Sequence, residues 1–125
     1  MGLAPGFSVL DEGDLRDVVA LVRTELELGE GRVRFPKAST IADVASRVAN
    51  AREPLSEVLA RRFPWCRDHA DGIRQVLVGA RDRKRAMNAV DFDDLLLHWR
   101  VLLASDAGDV VRQQFDHVLV DEYQD

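Results

Sequence analysis

His117-Val118-Leu119-Val120-Asp121-Glu122-Tyr123-Gln124-Asp125 is the stretch where the chain changes its period. Everywhere upstream, apolar residues recur at helical spacing. Here Val118, Leu119 and Val120 form a continuous apolar run, β-branched at two of three positions, followed at once by two carboxylates. Such a run is expected to be a strand buried on both faces, of the kind found inside parallel sheets. No second convincing strand is legible, and a buried strand without ladder partners leaves backbone groups unpaired at roughly 1–3 kcal/mol each. The expected fold is therefore mainly α, about six helices with one C-terminal β-strand that belongs to an incomplete sheet.

Ahead of that strand, Gly108 to Gln114 is expected as a short sixth helix. The fifth starts at Val90-Asp91-Phe92-Asp93-Asp94-Leu95, with Asp91 as cap, Asp94 in the first turn and Val90 stapled to Leu95. Leu95, Leu96, Leu97, Trp99, Leu102 and Leu103 make it the most hydrophobic helix of the chain. The same logic opens the first helix at Leu10-Asp11-Glu12-Gly13-Asp14-Leu15. Its apolar positions are Leu15, Val18, Val19, Val22 and Leu26, and Gly29 and Gly31 end it. Ser39-Thr40 begins a second helix carrying Ile41, Val44, Ala45 and Val48, and Pro54 opens a third through Leu55, Val58 and Leu59. Pro64 separates that from a long fourth pattern reaching Met87. On a helical wheel Ile73, Val76, Leu77, Ala80 and Met87 cluster within about a third of the circumference, with Arg67, Arg74, Arg81 and Arg85 as a stripe beside them.

The net charge of −5 hides a pattern: residues 1–30 carry −5, residues 31–85 carry +7 and residues 86–125 carry −7. A basic middle between acidic ends suggests separate surfaces with separate partners. No apolar run is long enough to span a membrane, and the N-terminal residues lack the regions of a secretory signal. The single cysteine, Cys66, has no partner for a disulfide or a metal site, and a reducing, cytoplasmic setting is expected.

A buried strand ending in Asp-Glu has the form of a Walker B element, which delivers an aspartate to the edge where open α/β sheets bind ligands. The aspartate helps hold Mg2+ on nucleotide phosphates, and the adjacent glutamate orients or deprotonates the attacking water. With Gln124 and Asp125 following, the nonapeptide resembles motif II of UvrD/Rep-type superfamily 1 DNA helicases, Asp-Glu-aromatic-Gln-Asp. Val90-Asp91-Phe92-Asp93-Asp94-Leu95-Leu96 resembles the helix these enzymes place shortly before that strand, at the family's spacing. Phe7-Ser8-Val9-Leu10-Asp11 and Arg32-Val33-Arg34-Phe35-Pro36-Lys37 resemble, less specifically, the helical subdomain inserted in the first motor lobe.

The resemblance implies a helical insertion subdomain over 1–89 and part of a P-loop NTPase lobe over 90–125. It implies ATP-driven translocation on single-stranded DNA and duplex separation in repair or recombination, with ATP and Mg2+ as cofactors. DNA and the rest of the helicase motor would be the partners. Asp121 would be the Mg2+ ligand through water, Glu122 the catalytic base, and Gln124 the group coupling the γ-phosphate to the DNA-binding motifs, while Tyr123 packs. No Gly-x-x-x-x-Gly-Lys-Ser/Thr loop occurs in the sequence, so the chain is expected to be a fragment that is not catalytic alone and binds neither cofactor by itself.

The remaining polar and aromatic residues divide between structure and contact. Asp91, Asp93 and Asp94 read as helix-start residues. Arg67, Arg74, Arg81 and Arg85 are candidates for weak, non-specific DNA contact, or a solvated face paired with Asp68, Asp71 and Asp82; Arg83, Lys84 and Arg85 complement a helix C-terminus. His69 falls on the apolar face as a core or boundary residue, and His98 and His117 are isolated. Trp65 and Trp99 are expected to pack, Trp65 having the alternative of stacking on a base beside Arg61 and Arg62. A second function class is a free-standing module that self-associates through Leu95, Leu96, Leu97, Trp99, Val118 and Val120.

Overall fold

The computed structural model of the chain describes residues 4–29 and 34–122. Two short strands, β1 (Ser8–Leu10) and β2 (Ala89–Asp91), pair in parallel with Ser8 opposite Ala89, Val9 opposite Val90 and Leu10 opposite Asp91. The chain between them is helical: α1 (Glu12–Glu25), α2 (Ala38–Ala51), α3 (Leu55–Arg62), a 3-10 turn (Pro64–His69) and α4 (Ala70–Ala86). Two helices follow β2, α5 (Phe92–Leu103) and α6 (Asp106–Arg112).

The strands stand where none was expected, and Val118-Leu119-Val120 forms none. That segment is 80%, 95% and 68% exposed residue by residue, and no described residue pairs with it. The apolar run was legible, but a strand is made by its ladder, and the only ladder among the described residues joins β1 to β2. Asn88, at φ 48°, turns the chain from α4 into β2, and its side chain accepts from the Ala4 amide at 2.9 Å.

Local chemistry explains most element ends. Asp11 accepts from the Asp14 amide at 2.8 Å and Asp14 accepts from the Asp11 amide at 3.1 Å, a reciprocal capping box at the start of α1. The helix stops at Glu25, short of the expected Gly29; Gly31 lies outside the described residues. Leu28 N–H reaches the Arg23 carbonyl and Glu27 N–H the Thr24 carbonyl, a Schellman ending with Glu27 rather than glycine at positive φ. The fourth pattern is split: Cys66 N–H bonds the Phe63 carbonyl at 2.8 Å, so 64–69 wind as a 3-10 turn before α4 begins. Helix α6 starts two residues before the expected Gly108, with Ser105 at its cap position.

The core gathers Val19 and Val22 of α1, Ile41 and Val44 of α2, Leu59 of α3, Cys66, and Ile73 and Val76 of α4, all at most 4% exposed. Two glycines let α4 approach closely. A Cβ at Gly79 would stand 2.6 Å from Val22 Cγ1, and one at Gly72 would stand 2.7 Å from the Phe35 ring. Phe35 also meets the half-buried His69 ring edge-on at 5.3 Å, which places His69 at the core boundary. Met87 leaves the expected apolar cluster and is 51% exposed, because α4 ends at Ala86 and the chain turns away at Asn88. Neither tryptophan packs fully: Trp65 is 68% and Trp99 50% exposed.

Candidate functional site

Asp121 and Glu122 follow α6 by the extended segment 118–120 and are both exposed. Asp121 Oδ1 accepts from the Glu122 amide at 2.9 Å, and Glu122 takes φ 50°, a left-handed conformation unusual for a side chain of its kind. The two acidic residues thus follow the apolar run directly. Gln124, with Tyr123 and Asp125, lies outside the described residues. Among the described residues no group of three or more His, Cys, Asp or Glu could hold a metal ion. An exposed aspartate with its second carboxylate oxygen in solvent can face Mg2+ through water, but the sequence holds no Gly-x-x-x-x-Gly-Lys-Ser/Thr loop to cradle the phosphates.

The four arginines of the expected stripe are all exposed, Arg67 on the 3-10 turn and Arg74, Arg81 and Arg85 on α4. Two are partly neutralised by the neighbours named as alternatives. Arg74 Nη1 meets Asp71 at 2.8 Å and Arg81 Nε meets Asp82 at 3.2 Å. Arg67 and Arg85 make no ion pair among the described residues. Arg83 is drawn across to α1, where its Nη2 donates to both Glu25 carboxylate oxygens at 2.5 and 2.6 Å.

The most constrained charged cluster is one that sequence reasoning missed. Lys84 of α4 is 8% exposed, and its Nζ donates to Asp91 Oδ2 at 2.5 Å and to Asp94 Oδ2. Asp91 and Asp94 are also the capping box of α5: Asp91 Oδ1 accepts from the Asp94 amide at 2.8 Å and Asp94 Oδ2 from the Asp91 amide at 3.2 Å. One ammonium therefore ties the end of α4 to the start of α5 across β2. Burial alone would push the Lys84 ammonium down, but the hydrogen bonds and charges of Asp91 and Asp94 outweigh it and hold the group above its ordinary 10.5. The signal was present in the sequence. Lys84 falls four residues after Ala80, inside the apolar stripe of α4, where a lysine needs a buried carboxylate rather than a helix end. At the far end of the core, burial pushes the Cys66 thiol up, which fits a packing cysteine rather than a reactive one.

An apolar crevice of about 290 Å³ opens beside this cluster, lined by Leu15, Val19, Val48 and Ala80 with Leu97 of α5 across it. Beyond it the outer face of α5 is uncovered: Leu96 is 63%, Trp99 50% and Val101 52% exposed. No residue of α5 is buried, although it is the most apolar helix by composition. Among the described residues no helix is long and apolar enough to cross a membrane.

The sequence profile of the UvrD/REP helicase N-terminal domain matches residues 1–125. The chain is similar to the ATP-dependent DNA helicase UvrD1 of Mycobacterium tuberculosis, 32% identical over 126 residues (99% of this chain, 16% of the relative). It is similar to the ATP-dependent DNA helicase Rep of Salmonella typhimurium, 32% identical over 130 residues (100% of this chain, 18% of the relative). The ATP-dependent DNA helicase PcrA of Leuconostoc citreum is 27% identical over 130 residues (100% of this chain, 16% of the relative). The chain thus spans less than a fifth of the length of these relatives. No solved structure matches.

Proposed function

The chain belongs to the UvrD/REP helicase N-terminal domain family, and on that footing we propose that it acts as a segment of an ATP-driven DNA translocase that separates duplex strands. Residues 1–89 supply the helical insertion, and 90–125 return the chain into the ATPase lobe. Asp121 serves as the carboxylate facing Mg2+ through water, Glu122 as the base toward the attacking water, and Gln124 as the link from the γ-phosphate to the DNA-binding parts of the motor. The nucleotide's phosphate cradle comes from motor residues other than these 125, and the chain alone turns over no ATP. What supports this reading is the run Asp121-Glu122-Tyr123-Gln124-Asp125, which resembles motif II, in a chain that the family matches over residues 1–125.

The test is an exchange. Placed in the Salmonella typhimurium Rep helicase instead of the matching segment, the chain is expected to sustain DNA-stimulated ATP turnover, and Glu122→Gln to reduce it about 100-fold or more. Turnover indifferent to Glu122→Gln would remove the proposed base. Background turnover is expected for the isolated chain with Mg2+ and DNA.

The exposed face of Leu96, Trp99, Val118 and Val120 favours a second reading, in which the isolated chain self-associates through surface that the motor would otherwise cover. Light scattering after size exclusion decides it: a strict monomer at high concentration rules it out.

A further inference from the structure

We propose that Trp65 and Phe63, with Arg47 and Arg62, form a stacking contact for unpaired bases of single-stranded DNA. The site deepens the DNA reading above and rests on it. At 68% exposure Trp65 is the most exposed aromatic side chain among the described residues. Tryptophan carries the largest apolar surface of any side chain, and leaving it in water forfeits burial that the core could have provided.

The turn that carries it is nevertheless tied to the core. Cys66, next in sequence, is fully buried beneath the turn, and its amide bonds the Phe63 carbonyl. The half-buried Phe63 ring meets the Trp65 ring edge-on, with centroids 5.7 Å apart. The indole is therefore carried by a hydrogen-bonded turn whose next residue is anchored in the core.

The surroundings select the partner. Arg47 and Arg62, with Arg61 and Glu53, line a concavity of about 90 Å³ between α2 and α3. Arg47 also lines the adjoining hollow that contains Phe63, whose ring in turn meets that of Trp65, so Arg47 links the arginine concavity to the aromatic pair. Two of the carboxylates on this face are engaged, Arg61 holding Glu53 at 3.1 Å and Glu57 at 3.8 Å, while Asp43 of the adjoining hollow makes no ion pair among the described residues, so the guanidinium groups of Arg47 and Arg62 outnumber the free carboxylate by one. Arg47, Arg62 and Arg67 are exposed and make no ion pair among the described residues. Arg74 and Arg81 of the stripe, in contrast, each have a carboxylate neighbour. A flat π surface beside unpaired guanidinium groups suits a base stacked on the indole with its phosphates toward the cations.

The chain has two tryptophans, so Trp99→Phe leaves Trp65 as the sole reporter. Titrating that chain with a dT oligomer about 12 nucleotides long is expected to quench its fluorescence at about 50 mM salt and much less at about 200 mM. In chains that keep Trp99, followed with labelled dT, Trp65→Ala is expected to weaken binding roughly tenfold or more, and Trp65→Phe to retain most of it. Arg47→Ala with Arg62→Ala should lower the slope of log affinity against log salt by about 1.4, the share of two phosphate contacts. Absence of quenching at low salt overturns the proposal. So does binding that is unchanged in Trp65→Ala, an outcome that leaves DNA contact elsewhere on the chain intact. The helicase reading is judged independently, by Glu122→Gln in the Rep exchange, which does not involve Trp65.

Discussion

At the end of β1, Asp11 and Asp14 exchange hydrogen bonds across the first turn of α1; at the end of β2, Asp91 and Asp94 do the same for α5. The two junctions lie side by side, since Leu10 pairs with Asp91 in the sheet, and both are written as an apolar residue, Asp, two residues, Asp, Leu. They differ in surroundings. Asp11 and Asp14 are exposed, and their nearest ion pair, Arg16 with Glu12, is in solvent. Asp91 is 8% exposed, and its box is closed by Lys84. Backbone amides and the helix dipole suffice for a carboxylate pair in water, where the solvent screens the charges. Where solvent is withdrawn, two carboxylates facing each other require a cation. The same four-residue cap thus serves as a local helix signal at one junction and as a fastening between helices at the other.

Replacing the cation should separate the junctions most. Lys84→Met keeps the volume and leaves two poorly hydrated carboxylates together, and is expected to cost about 2–4 kcal/mol in urea unfolding. A loss below about 1 kcal/mol would mean the second box behaves like the first. The caps themselves give a smaller contrast. Asp11→Ala should cost about 1 kcal/mol, the ordinary value of a cap, and Asp91→Ala clearly more, because it also takes a partner from Lys84. Equal losses at the two positions would erase the distinction.

Alkali gives the smallest effect and the one with a defined sign. Lys84 titrates above 10.5 in the folded chain, so its contribution is complete below 10.5 and is lost as pH rises through the folded value. Cys66 titrates above 9.0 when folded, so the unfolded chain releases that proton first and stability begins to fall near 9.0. Unfolding midpoints measured from pH 8 to 11 should therefore decline in two stages, and Lys84→Met should retain the first and lose the second. A flat profile in the parent chain would contradict both assignments.

How much of this was legible follows the range of the interactions. Both capping boxes are visible in the sequence because a cap is chemistry within one turn, and Val18, Val19, Ile73 and Val76 declared their helical faces by spacing. The strands were not visible: Ser8–Leu10 and Ala89–Asp91 are three residues each and exist through a partner far along the chain. Val118-Leu119-Val120 had the composition of a strand without a ladder to join. Asp121 and Glu122 were singled out by identity and order alone, since a motif of adjacent residues is written in the sequence whatever the fold around it. Lys84 does lie in the last turn of α4, as expected, but its pairing was not legible because only the turn at Asn88 brings Asp91 and Asp94 back over it. Trp65 was expected to pack, with stacking on a base as the alternative; residues 64–69 wind as a 3-10 turn, and the indole stands 68% exposed.

The pairing of Ser8 with Ala89 also sets an order of events. Every helix from α1 to α4 can form from near neighbours, whereas β1 and β2 can meet only after the whole helical stretch between them has condensed enough to bring Leu10 to Asp91. Registration of the sheet, and with it the docking of α5 through Lys84, is thus a late step in folding. Weakening that junction will be felt mainly as faster opening of the finished molecule, with little delay in its assembly.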